Sequence, residues 1–293
     1  MLDKRSRRDF DHMMLAVMLY FSYRLLESYY YDVFYMVANL SGWNINEWIL
    51  KKGFFLDAWF CIFAFPIYLA WFLLRFKKEK RELPLRLKND KEFAAQNTRG
   101  GLIFLCIILT LGIGGISSIW LDFADSYLQG FDFFAMSMQS FEDAWSGWGE
   151  EPYLWVFFSV VLFGPLVEEL LFRGLIYNYI KELDSMLAAI LISSVAFGIW
   201  HGEPVQSVYT AWMGICLAIV YYRTNSIFYP ILIHVLNNFL STLPPGLNTE
   251  TVWFLIDLFS KLMIIPSLLI LFRMLHRARM IYRYERELRE ENP

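Results

Sequence analysis

Uncharged, largely apolar runs of about 20 residues recur along this chain, the helix length needed to cross a hydrocarbon core of roughly 30 Å. Backbone in lipid must satisfy its own polar groups, so such runs fold as helices. Composition agrees. Of the 293 residues 57% are hydrophobic and 19% aromatic, whereas a soluble domain is about 45–50% apolar. The mean hydropathy is +0.39. The expected fold is all-α, a polytopic membrane protein of about eight transmembrane helices with a polar site in the core of the bundle. The spans fall at 10–40, 54–74, 101–121, 153–180, 186–201, 205–222, 226–243 and 251–272. Pro66 is expected to kink the second of them.

Charge between the runs predicts orientation. Lys4, Arg5, Arg7 and Arg8 precede the first span, and eight Lys or Arg lie between Lys77 and Arg99. Arginines recur from Arg273 to Arg289. Positive flanks stay cytosolic, so both termini and the 75–99 loop are expected there. The segment Asp122–Glu151 inverts the balance, with seven Asp or Glu and no Lys or Arg, and belongs on the opposite side. Its aromatic stretch, Phe131 to Trp148, predicts a helix at headgroup depth. The basic start runs into an aromatic segment without a small-residue cleavage site, so no cleavable signal is expected. Cys61, Cys106 and Cys216 all sit in apolar runs and read as small apolar residues.

Within these runs lie charges that lipid disfavours. Residues 165–173 read P-L-V-E-E-L-L-F-R, and each charged group near a span centre costs roughly 2.5–3.5 kcal/mol on insertion scales. Span five ends in F-G-I-W-H, carrying Phe197 and His201, and span seven contains H-V-L-N-N, carrying His234, Asn237 and Asn238. Glu169 and Arg173 are four apart, acid first, the favoured order for a helix pair. His234 and Asn238 share a face by the same spacing, and Glu168 is turned by about 100° from Glu169. At about 1.5 Å per residue, Glu168, His201 and His234 lie roughly 18, 22 and 12 Å from the cytosolic ends of their spans, so a shared midplane pocket is feasible. Arg24 and Glu27, three apart in the first span, read as an internal pair.

Such a set suits hydrolysis. Glu168 is the candidate general base, with His201 orienting and deprotonating a water. His234 and Asn238 are candidate donors to the oxyanion of a tetrahedral intermediate. Glu169 and Arg173 read as the clamp that fixes the helix. Gly164-Pro165 should loosen that helix, because proline removes a backbone donor and frees a carbonyl. Glu168, His201 and His234 would also make a zinc set with an open fourth position. However, H-E-x-x-H and G-x-S-x-G are both absent. No cofactor is expected, zinc being the alternative.

These residues resemble the CPBP family of intramembrane proteases, which includes the CAAX-prenyl endopeptidase and bacterial relatives tied to bacteriocin immunity. The family pattern E-E-x-x-x-R, F-x-x-x-H and H-x-x-x-N is met by Glu168-Glu169 to Arg173, by Phe197 to His201 and by His234 to Asn238. The likeness covers about residues 153–243. It implies that Glu168 and His201 activate water, that His234 and Asn238 form the oxyanion hole, and that Glu169, Arg173 and Phe197 support them. On this reading 1–150 is an N-terminal transmembrane region, 151–245 the catalytic core, and 246–293 the last span with an arginine-rich tail. Expected partners are the bilayer of a bacterial plasma membrane and a membrane peptide or protein substrate, not nucleic acid. The alternative is a non-proteolytic regulatory or immunity protein that binds a membrane partner such as a sensor kinase.

Overall fold

The computed structural model describes residues 4–41, 53–78, 99–146, 151–183 and 185–291. Among them every regular element is helical. The helices are α1 (Lys4–Leu40), α2 (Gly53–Lys78), α3 (Arg99–Phe123, continued by a π-turn Ala124–Leu128), α4 (Asp132–Ser146) and α5 (Tyr153–Lys181). There follow α6 (Met186–Trp200), α7 (Pro204–Thr224), α8 (Phe228–Ser241), α9 (Glu250–Leu262) and α10 (Ile264–Glu291). Most of the basic 75–99 loop, and residues 147–150 at the end of the aromatic stretch, lie outside the described residues.

Each expected span is present as a helix, but the count of eight membrane crossings is not supported. Four helices are long and apolar enough to cross, Gly53–Lys77, Gly100–Leu128, Tyr153–Lys181 and Pro204–Thr224. A fifth arises if α9 and the first part of α10, bent by 44° at their junction, count as one span. The shortfall has physical causes. The 15 residues of α6 and the 14 of α8 reach only about 22 Å at 1.5 Å per residue. Helix α1 is long, but Arg24, Glu27 and Asp32 lower its hydropathy. Its outer face is nonetheless apolar, with Phe10, Met14, Met18, Phe21 and Leu25 all exposed. With four such helices the chain is a multi-pass membrane protein.

The packing follows from small residues. Helix α3 lies against α7, α8, α9 and α10. A Cβ on Gly112 would come within 2.7 Å of the Met263 carbonyl, and one on Gly115 within 2.4 Å of the Ser260 carbonyl. Helices α6 and α7 meet in the same way: a Cβ on Gly198 would meet the Ser207 carbonyl at 2.5 Å and Ala211 at 2.7 Å, and one on Gly214 would meet Ser194 at 3.0 Å. Close backbone approach of this kind substitutes in lipid for the missing hydrophobic drive. Gly198→Val should therefore destabilise the protein by about 1–3 kcal/mol, the usual cost of overpacking. Thermal unfolding in detergent checks this, and an unchanged midpoint contradicts it.

Helix α5 departs most from regular geometry. It runs α at Tyr153–Val156, π at Phe157–Phe163, α at Gly164–Glu169, π at Leu170–Ile176 and α again at Tyr177–Lys181. Such widened turns are rare and gather at functional sites. Sequence dictates the first of them. Gly164 donates its N–H to the Ser159 carbonyl five residues back, and a Cβ there would lie 2.4 Å from that same oxygen. Pro165 comes next and has no N–H, so the carbonyl of Val160, its counterpart in the five-residue register, is left without a backbone donor. The second π-stretch is held by Asn178. Its buried amide has two N–H groups shared among three acceptors, the carbonyls of Arg173 at 2.9 Å and Gly174 at 3.0 Å and the Tyr221 hydroxyl at 2.9 Å.

Candidate active site

The motif residues separate into a buried network and a cavity wall. Glu169 and Arg173 are fully buried. Glu169 Oε1 accepts from Arg173 Nη1 at 2.7 Å and from His234 Nδ1 at 2.9 Å. The second arm of Arg173 reaches the Gly214 carbonyl at 3.3 Å, and its guanidinium lies 4.4 Å from the centre of the Phe197 ring. The pair expected to clamp one helix thus ties α5 to α7 and α8 and holds His234 as well. Phe197 is buried edge-on between rings, 5.0 Å from Phe172, 4.9 Å from His201 and 5.7 Å from His234.

In front of this network lies a cavity of about 890 Å³, within the roughly 300–1,000 Å³ range of ligand sites. Glu168, His201, His234 and Asn238 all line it. Glu168 Oε2 is buried without a hydrogen-bond partner and sits 3.7 Å from His234 Nε2. His201 Nδ1 bonds the Phe197 carbonyl at 2.8 Å. A carbonyl only accepts, so Nδ1 carries the proton and Nε2 keeps a lone pair. Likewise Nδ1 of His234 donates to the Glu169 carboxylate, which fixes its ring and leaves Nε2 facing Glu168.

Asn238 also has a partner in the backbone of α5. Its Nδ2 donates to the Val160 carbonyl at 2.8 Å, the group orphaned by Pro165. One of its two N–H groups is therefore committed to the backbone of α5 and one remains. Replacing it by alanine should destabilise the chain by about 1 kcal/mol, the scale of a hydrogen bond between membrane helices. A denaturant titration in detergent checks this, and a variant as stable as wild type contradicts it.

Among the described residues no three His, Cys, Asp or Glu groups are arranged to hold a metal ion. Glu168, His201 and His234 share the cavity without forming a ligand set in this conformation. The Nδ1 atoms of both histidines are already occupied by protein partners, which leaves their Nε2 atoms and the Glu168 carboxylate as the uncommitted groups of the three.

The cavity also brings in groups that motif reading passed over. Arg24 and Glu27 of α1 and Asp57 of α2 line it on one side. Arg24 pairs with Glu27 at 2.7 Å as expected, and it also bonds the carbonyl of Trp200, the residue before His201. Asp57 accepts from the Tyr31 hydroxyl. The one available signal was charge within an apolar run, which the first span carried and which gave no hint of a partner 176 residues away. On the far side, α4 contributes Phe141 and Glu142 to the wall. Ser137 of the same helix accepts the Val205 N–H at 3.0 Å, at the start of α7. Phe133 and Met136 of α4 and Phe131 just before it are exposed apolar side chains.

A family model described as type II CAAX prenyl endopeptidase Rce1-like matches residues 150–240. A curated protein described as a putative membrane peptidase, YdiL of Bacillus subtilis (strain 168), is 39% identical over 75 residues. The match covers 26% of this chain and 31% of the length of that protein. No solved structure matches. The matched stretch runs from the start of α5 to α8 and contains all three motifs together with the buried network that joins them. Over residues 150–240 this chain is similar to the Rce1-like type II CAAX prenyl endopeptidases and, in part, to a putative membrane peptidase.

Proposed function

We propose that the protein is an intramembrane endopeptidase that hydrolyses peptide bonds of membrane-associated peptides or proteins with a water activated by Glu168 and His201. The observation that carries this reading is the unpartnered Glu168 Oε2, buried in the wall of a cavity that His201 and His234 also line. A buried carboxylate oxygen without a hydrogen bond beside two oriented imidazoles is costly in the membrane and suited to general base work. The Rce1-like family match and the putative membrane peptidase relative support the same class of reaction.

The reaction balances on these groups. Water bound between Glu168 and His201 Nε2 gives its proton to Glu168 while its oxygen attacks the scissile carbonyl carbon. The oxyanion is held by His234 and by the free N–H of Asn238. Nδ1 of His234 already donates to Glu169, so His234 contributes a donor through Nε2 only in its imidazolium form. As the intermediate collapses the C–N bond breaks, and Glu168 passes the proton to the leaving amine. No metal takes part in these steps. Both termini lie on the cytosolic side, as the basic flanks indicate.

A phenotypic assay separates hydrolysis from a binding role. Glu168→Ala, His201→Ala and His234→Ala should each abolish the phenotype while the protein remains in the membrane at wild-type level. Retention of the phenotype by all three would favour the regulatory or immunity reading.

A further inference from the structure

Helix α1 lies outside the family-matched stretch, yet it reaches the site through Arg24. The end of α6 explains why an arginine is useful there. The last carbonyls of a helix have no intrahelical donor and carry its partial negative charge. Trp200 ends α6, Gly202 turns the chain at a φ of +81°, and the residue four beyond Trp200 is Pro204, which has no N–H to offer. In a bilayer an unsatisfied carbonyl costs several kcal/mol. Arg24 Nη2 donates to the Trp200 carbonyl, and its guanidinium lies 4.4 Å from the centre of the Trp200 indole. Glu27 Oε2 holds the other arm of the fork at 2.7 Å. Tyr20, Tyr23 and Phe172 pack against the same indole with ring centres 5.8, 4.6 and 5.6 Å away.

His201 is the next residue, and its ring is already tied at Nδ1 to Phe197 within the same helix. Fixing the peptide unit before it therefore fixes where Nε2 stands in the cavity. We propose that Arg24 is a positioning residue for His201. Helix α1 completes the site from outside the matched core by clamping the carbonyl at the end of α6. The kinetic part of this inference rests on the proposed peptidase function, and the anchoring part does not.

Two measurements test it on the full-length protein in proteoliposomes. The first needs no catalysis. In a chain with Cys61, Cys106 and Cys216 replaced by alanine and His201→Cys introduced, the rate of maleimide labelling at position 201 is compared with and without Arg24→Met. Loss of the anchor should raise labelling at least about fivefold, as expected of a locally freed segment. An unchanged rate overturns the proposal. The second compares cleavage with His201 intact. Arg24→Met should lower kcat by ~10–10²-fold through misplacement of a catalytic group, with KM changed by less than about threefold. Arg24→Lys, which keeps the charge but loses the forked geometry, should recover part of the loss. A kcat at the wild-type value in both variants overturns the proposal, and so does a loss confined to KM. If Arg24→Met fails to fold, Arg24→Lys carries both measurements, with smaller changes in the same directions. Faster labelling in a protein that cleaves nothing even as wild type would leave the anchor standing and remove the peptidase reading.

Discussion

Arg173→Ala should destabilise the protein by about 3–5 kcal/mol, the usual cost of removing one partner from a buried ion pair. Glu169 is fully buried, and its Oε2 already lacks a hydrogen-bond partner. Removing the guanidinium would leave that carboxylate with the His234 imidazole as its remaining partner on Oε1. The substitution also deletes the bond to the Gly214 carbonyl and the contact with the Phe197 ring, so α5 loses its tie to α7. Unfolding in detergent, followed by circular dichroism against denaturant, measures the loss. The double change Glu169→Gln with Arg173→Met should be milder, because no charge is then stranded. A loss below about 1 kcal/mol for Arg173→Ala, the scale of an exposed pair, would contradict this role.

Glu168→Gln should do the opposite. Its side chain is 19% exposed, in the cavity wall, and its Oε2 has no hydrogen bond to lose. The amide keeps the volume and removes the base. Cleavage should fall by ~10²–10⁴-fold, the range for general acid–base groups. Unfolding should shift by less than about 0.5 kcal/mol, as for changes away from the packed network. Two adjacent glutamates are thus expected to divide rate from stability. Purified Glu168→Gln and Glu169→Gln, assayed for both quantities, check the division, and equal effects of the two on rate and on stability would contradict it.

Much of the site could be read from the chain because charge inside an apolar helix is conspicuous. Glu168, Glu169, Arg173, His201 and His234 stood out for that reason, and their helical spacing indicated which could pair. The irregular register of α5 was less legible. Phe157–Phe163 reads like any apolar run, and only Gly164-Pro165 hinted that a carbonyl would be freed. That Asn238 would take this carbonyl depends on how α8 crosses α5, which no local pattern encodes. The same limit applied to Arg24. Its neighbour Glu27 offered a complete local explanation, while its contact with Trp200 is set by tertiary packing. The crossing count of eight is not confirmed by helix length. Apolar character made 186–201 and 226–243 resemble spans, although α6 and α8 are too short for a full hydrocarbon core.

Prolines recur in this picture. Pro165 leaves the Val160 carbonyl free and Asn238 takes it; Pro204 offers no N–H to the Trp200 carbonyl and Arg24 takes it. In each case a side chain from another helix takes the backbone carbonyl that proline left open.

The central claim, hydrolysis of membrane peptides at Glu168, is tested most directly by sequencing new peptide termini. Wild type and Glu168→Gln, reconstituted in proteoliposomes with a library of membrane-inserted peptides, are compared by mass spectrometry. The account predicts new internal termini with wild type that are absent with Glu168→Gln. The same termini at the same rate from both proteins would contradict it.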